Sequence, residues 1–155
     1  MNYWIFQGNP DAYYFDSSIN QGLLNGWNVK AHVNKILKGD KAILWLCGKN
    51  AGCYGLANIM SNPHGYIRDS EDLHLWNSNN ETGKRHQIED KITKIVEINL
   101  THNLFTNGKY IPKDIIPGTT GPLETLRNRG FIQGTNFSAN KEQYETILRL
   151  IESCT

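Results

Sequence analysis

The sequence predicts a mixed α/β (α+β) domain in which helices flank a curved, mainly antiparallel sheet or small β-barrel. Three observations carry that expectation. Lys41 to Cys47 (KAILWLC) and Cys53 to Met60 (CYGLANIM) are apolar runs joined by GKNAG, a loop of residues that tolerate positive φ, and together they read as a β-hairpin. Ile88 to Leu100 sets Ile92, Ile98 and either Ile95 or Val96 against Lys91, Thr93, Lys94, Glu97 and Asn99. That is the alternation of a long half-buried strand, with helix as the alternative. Tyr144, Ile147, Leu148 and Ile151 form an i, i+3, i+4, i+7 stripe, so a closing helix must pack one face on a core.

The remaining elements follow in order. Tyr3 to Gln7 is aromatic and branched and reads as an opening strand, after which Asn9 caps a helix with Pro10 at its first position. That helix is expected to run to about Leu24, with Gly26 following its end and Trp27-Asn28-Val29 as a short extended link. Ala31 to Leu37 reads as one or two helical turns, stopped by Gly39-Asp40. Ser61 to His86, with SNPHGY and WNSNNETGKR, has many turn formers and little periodicity, so it reads as a long binding loop or flap in which Trp76 stands out. PLETLRN reads as a short helix and GFIQGTNF as a strand or ordered loop. Ser138-Ala139-Asn140 begins the last helix, with Asn140 and Gln143 forming a capping box. No repeat or linker interrupts this order, so residues 1–155 are expected to form one domain.

Bulk numbers narrow the function. A hydrophobic content of 39% with 20% charged residues is that of a soluble protein, and no signal peptide or membrane-length apolar run is visible. The cytoplasm is the expected location, and no membrane partner is expected. Sixteen Lys and Arg against fifteen Asp and Glu leave a net charge of +1, so any contact with a polyanion must be local. Lys84, Arg85 and His86 form one basic cluster; Arg127, Arg129 and Lys141 lie in another. Cys47, Cys53 and Cys154 are odd in number and lack CxxC spacing, which argues against a zinc site or a disulfide framework. Cys47 and Cys53 flank the hairpin turn, which leaves a facultative disulfide open beside the reading of reduced core thiols.

No catalytic residue, metal or cofactor is expected. His32, His64, His74, His86 and His102 fall in no HExxH pattern and no HxE with PCxxC pattern, and there is no phosphate loop, GxSxG motif or distinctive carboxylate pair. The four tryptophans are more informative, because an indole is a strong partner for a flat or cationic base. Trp4 and Trp45 lie within strands and read as core. Trp27, between Gly26 and Asn28 and outside any periodic pattern, fits a pocket or a core. A methylated base would also need edge readers, and Gln7, Asn9, Asn28 and Gln133 offer amides that both donate and accept.

Taken in order, YWIFQGNPDAY, WNVKAHVNKILKGDKAILWLCGKNAGCYGLANI and GPLETLRNRGFIQGTNFSANKEQYETI resemble an EVE domain, of the PUA-like superfamily and related to YTH domains. The resemblance implies a small barrel or strongly curved sheet with a pocket for a flipped or single-stranded modified base. By motif it implies that Trp27 opens the pocket with Asn28 beside it, and that Gln7, Gly8 and Asn9 line it from the end of the first strand. It further implies pocket positions for Trp45 in the hairpin and for Gln133, Thr135 and Asn136 of QGTNF. Trp76 falls where YTH domains place a cage tryptophan. EVE domains occur alone or fused to nucleases or to the GTPases of modification-dependent restriction, so such a domain or subunit is a possible partner.

The functional expectation is therefore a non-catalytic module for DNA or RNA carrying a modified, methylated base, with Lys84, Arg85 and Arg129 on phosphates. An RNA-binding protein of RNA modification or translation, and an enzyme acting on a nucleotide-like small molecule, are the alternatives. The match to W-x-V places Trp27 against the ligand more than in the core, so Trp27→Ala is expected to lose base discrimination and stay folded, whereas Trp4→Ala unfolds.

Overall fold

The computed structural model describes residues 1–67, 73–88, 92–106 and 108–153; Glu89 to Lys91 of the anticipated long strand, and Cys154, lie outside the described residues. The strands are β1 (Tyr3–Gly8), β2 (Gly26–Asn28), β3 (Lys41–Leu46), β4 (Gly52–Ile59), β5 (His64–Ile67), β6 (Ile92–Asn103), β7 (Ile111–Pro112) and β8 (Asn136–Ala139). The helices are α1 (Phe15–Asn20), α2 (Glu81–Ile88), α3 (Gly121–Arg129) and α4 (Lys141–Ser153). The sheet order is β2-β6-β4-β3-β1-β8, with β5 beside β6 and β7 beside β4. The anticipated hairpin is β3 and β4, with an irregular register between Leu44 and Trp45.

The curled, mixed sheet with flanking helices matches the predicted fold class, with one parallel contact in it. β1 pairs with β3 in parallel from Tyr3↔Lys41 to Gly8↔Leu46, while the other strand pairings described are antiparallel. A parallel pair cannot be joined by a tight turn, so the chain between them makes a crossover, carrying α1 and β2. That crossover supplies most of the residues discussed below.

The end strands of the sheet, β2 and β8, meet through one side chain. Asn136 Oδ1 accepts the backbone N–H of Lys30 at 2.7 Å and of Ala31 at 3.3 Å, and its Nδ2 donates to Asn28 O at 3.0 Å. Among the described residues β2 and β8 are not paired by a backbone ladder, so the amide bridges the two ends of the curled sheet. Asn136→Leu leaves these backbone groups without their partner and is expected to lower folding stability by about 1–3 kcal/mol, read as a lower denaturant midpoint. An unchanged midpoint would show that the clasp contributes nothing.

Period-two alternation divides the core between the two faces of the sheet. Trp4 and Phe6 of β1, and Ala42, Leu44 and Leu46 of β3, join Tyr13, Phe15, Trp27, Val96 and Ile98 on one side. Ile5, Ile43, Trp45 and Cys53 join Leu123 and Leu126 of α3 and Tyr144, Ile147 and Ile151 of α4 on the other. The predicted stripe on α4 is thereby covered. Its cap is reciprocal: Gln143 N–H donates to Asn140 Oδ1 at 2.8 Å, and Asn140 N–H to Gln143 Oε1 at 3.1 Å. Ser138 and Ala139, read as the start of this helix, belong instead to β8.

Other local elements differ from the sequence reading as well: Ile88, read as the start of the long strand, ends α2, and β6 begins at Ile92. The helix expected from Pro10 to Leu24 is reduced to Phe15–Asn20, because Asn9 O closes a turn with the N–H groups of Ala12 and Tyr13. Ala31 to Leu37 forms turns, not a helix, with His32 at φ 57° and its carbonyl accepting from Lys35 and Ile36. The long loop after Ser61 carries β5, a 3-10 turn at Leu73–Leu75 and α2. Its polar composition hid these elements because their stability comes from docking on other parts of the fold.

Candidate functional site

A cleft of about 800 Å³ opens where the end of β1, the segment after it, β2 and the loop before β8 converge. Its apolar wall is a chain of rings. Trp76 meets Tyr13 edge-on at 4.6 Å between centroids, Tyr13 meets Phe15 edge-on at 4.9 Å, and Phe15 stacks on Trp27 at 5.5 Å and 25°. Behind them Phe6 stacks on Trp27 at 6.3 Å. Buried Tyr13 has its hydroxyl 2.9 Å from Ser18 Oγ, which satisfies the polar end of an otherwise apolar side chain.

Trp76 reaches this wall because its segment pairs with the chain after β1. Tyr14 N–H donates to Leu75 O at 2.8 Å, Asn77 N–H to Ala12 O at 2.8 Å, and Asn77 Nδ2 to Asp11 O at 2.9 Å. Gly83 of α2 sits against the same backbone: a Cβ there would lie 2.2 Å from Asn77 O and 2.8 Å from Ala12 O. α2 can therefore press on the strip that presents Tyr13, and Thr82 from its first turn also lines the cleft.

Gly8 is needed for the rings to close. A Cβ at this position would fall 2.4 Å from Phe15 Cζ and 3.1 Å from Trp27 Cζ2. Gly8→Ala must push these packed rings aside, and overpacking of this kind destabilises by about 1–3 kcal/mol. The expected result is a lower melting temperature together with altered near-ultraviolet circular dichroism from the displaced aromatics. A wild-type spectrum would refute the close-packing argument.

The structure sorts the sequence-derived site residues into distinct groups. Gln7, Gly8, Asn9, Trp27, Asn28, Trp76, Gln133 and Thr135 line the cleft. Trp27 does so with a ring only 6% exposed that is also a member of the core cluster, so pocket and core are the same surface there. Gln7 is no edge reader: it is 5% exposed, and its Nε2 donates to Ile132 O and to Gly134 O at 2.8 Å. Both amide hydrogens are consumed in pinning the loop before β8, and Thr135 O accepts the backbone N–H of Gln7 at 2.7 Å. Asn9 turns its Oδ1 onto Asp11 N–H at 2.9 Å. Gln133 is exposed and Asn28 half-buried at the cleft.

Trp45 and Asn136 do not reach the cleft. Alternation along β3 sends Trp45, with Ile43, to the face under α3 and α4, where it is fully buried and its Nε1–H donates to Gly130 O at 3.3 Å. Asn136 is buried in the clasp described above. Lys84 and Arg85 on α2, and Arg129 at the end of α3, are exposed and lie outside the cleft lining. Among the described residues, the charged ones that line it are Lys30 and Glu97.

Cys47 and Cys53 are both free and belong to different surroundings, Cys47 at the cleft and Cys53 under the helices, so the facultative disulfide is not formed. Burial pushes the Cys53 thiol up to about 12 and raises that of Cys47 as well, keeping both protonated near neutral pH. Among the described residues no three of His, Cys, Asp and Glu are grouped so as to hold a metal ion.

Sequence reasoning missed Tyr13, Phe15, Lys30, Glu97 and Phe131 at the cleft. The signal for the first two was the aromatic run AYYF at residues 12–15, which the sequence reading placed within the helix expected from Pro10 to Leu24.

Comparison with known proteins gives a family and a set of similar folds. The family model of the EVE domain matches residues 2–108. The comparison with curated proteins finds no match. Among solved structures, a hypothetical protein from Leishmania major is similar at TM-score 0.60 and 17% identity, covering 99% of this chain and 96% of that one. Human THYN1, solved in complex with DNA containing 5-methylcytosine, has TM-score 0.58 and 15% identity over 98% of each chain. The YTH domain of Zygosaccharomyces rouxii MRB1, solved with N6-methyladenosine RNA, has TM-score 0.53 and 10% identity over 96% of this chain and 86% of that one.

Proposed function

The chain belongs to the EVE domain family, and from that premise we propose that it is a non-catalytic module that takes a modified, methylated nucleobase of DNA or RNA into its aromatic cleft. The observation that carries this reading is the continuous wall Trp76, Tyr13, Phe15 and Trp27 along a cleft of about 800 Å³. That volume lies in the range of sites for compact organic ligands. Flat rings beside a cleft favour a flat ligand: a stacked base contributes about 1–3 kcal/mol, and a buried methyl group about 0.8 kcal/mol more. Two proteins of similar fold, human THYN1 and the yeast YTH domain, were solved with 5-methylcytosine DNA and N6-methyladenosine RNA, which supports a methylated base as the ligand class.

The exposed cations Lys84, Arg85 and Arg129 are assigned to phosphates. Neutralising each is expected to weaken binding alike on all sequences and to reduce the salt slope, because a phosphate contact releases counterions without reading a base. A loss confined to one base context would contradict the assignment. A nuclease or GTPase, as a fused domain or a subunit, is the partner class we propose for coupling such recognition to restriction.

The deciding experiment is a binding panel of matched DNA and RNA oligonucleotides carrying 5-methylcytosine, 5-hydroxymethylcytosine or N6-methyladenine beside unmodified controls. Preference for one modified member over its control is the expected result. Equal affinity for every modified and unmodified pair would overturn the reading.

A further inference from the structure

The loop between α3 and β8 presents one aromatic side chain that belongs to the cleft lining yet stands largely in solvent. Phe131 is 53% exposed and lies at the mouth of the cleft beside Gln133, Gly134 and Thr135. A phenyl ring in water on a mobile loop would ordinarily fold inward, but here the backbone is held on both sides. Gly130, at φ 78°, ends α3 with its N–H on Leu126 O at 2.6 Å, and its carbonyl accepts Trp45 Nε1–H at 3.3 Å. On the other side, Ile132 O and Gly134 O both accept from the buried amide of Gln7. Three fixed backbone points within five residues leave the ring of Phe131 outside, a standing exposure of apolar surface that a ligand would relieve.

Resting on the base-binding reading above, we propose that Phe131 is a stacking platform for the nucleobase adjacent in the strand to the one in the cleft. The charges around it fit a strand. Exposed Arg129 lies two residues before Phe131, which places a cation for the phosphate of a nucleotide step crossing the mouth. Stacking on an aromatic face is tolerant of base identity, so Phe131 adds affinity and length of strand bound without selecting the modification. Trp45 and Gln7 then act as positioning residues that hold the platform from below.

The test compares wild type, Phe131→Ala and Phe131→Trp on the modified oligonucleotide that the panel selects, on its unmodified control, and on versions with an abasic site on either side of the modified base. Phe131→Ala is expected to weaken binding to the intact oligonucleotide about tenfold, and Phe131→Trp to retain it. The preference for the modified over the unmodified base is expected to stay at the wild-type ratio. On the version whose missing base is the one that stacks, wild type and Phe131→Ala are expected to bind equally. Melting temperatures of the variants, taken on the same samples, should match wild type because the ring is exposed. Wild-type affinity in Phe131→Ala, or the same loss with either neighbour abasic, would overturn the platform while leaving the base pocket standing. A wild-type protein that prefers no modified base in the panel would overturn the pocket reading and this inference with it.

Discussion

Replacing Trp27 with alanine is expected to lower folding stability by about 3–5 kcal/mol, a large part of what a domain this size holds in reserve. The ring is 6% exposed and lies between the rings of Phe6 and Phe15, so truncation opens a cavity in the core cluster as well as in the cleft wall. This revises the sequence-based expectation that Trp27→Ala would stay folded and lose only discrimination. Urea denaturation read by tryptophan fluorescence measures it, and an unchanged midpoint would show that Trp27 does not support the core. Trp27→Phe keeps an apolar ring at the site and is the variant to use for binding. It is expected to fold and to bind the modified oligonucleotide more weakly, because a smaller ring offers less stacking surface.

Trp76→Ala is expected to give the largest loss of binding with the fold retained. The side chain is half-buried, touches Tyr13 at 4.6 Å, and sits on a segment held by backbone bonds that the substitution leaves in place. Loss of one stacking indole corresponds to about a tenfold to hundredfold reduction in affinity for the modified oligonucleotide. Fluorescence anisotropy on a labelled oligonucleotide checks this, with a thermal melt of the same sample as the control. Binding at wild-type strength would remove Trp76 from the site. A collapse of the melt would place it among the core residues.

The paired fate of Trp27 and Trp45 shows where the sequence could be read and where it could not. β3 is apolar at nearly every position because both its faces are covered, so KAILWLC carries no alternation to say which way Trp45 points. The register with β1 and the position of α3 and α4 decide that, and they send it beneath the helices. Gln7 failed as an edge reader for a related reason. An amide at a strand end serves a base or a backbone equally well, and only the loop around Ile132 and Gly134, some 125 residues away, settles the matter.

The hairpin, the long alternating strand, the capped closing helix and the ordered motifs of the EVE domain were legible by themselves, because each is written in residues near one another in the chain. Periodicity, turn chemistry and capping are local, and local physics acts before the fold exists. The aromatic wall, the Asn136 clasp and the pinned loop carrying Phe131 were decided by the tertiary structure alone. Tyr13 meets Trp76, and Asn136 meets Lys30, across separations of 63 and 106 residues. No local pattern encodes such meetings, since which side chains share a cleft depends on how a curled sheet closes and which backbone groups remain to be satisfied when it does.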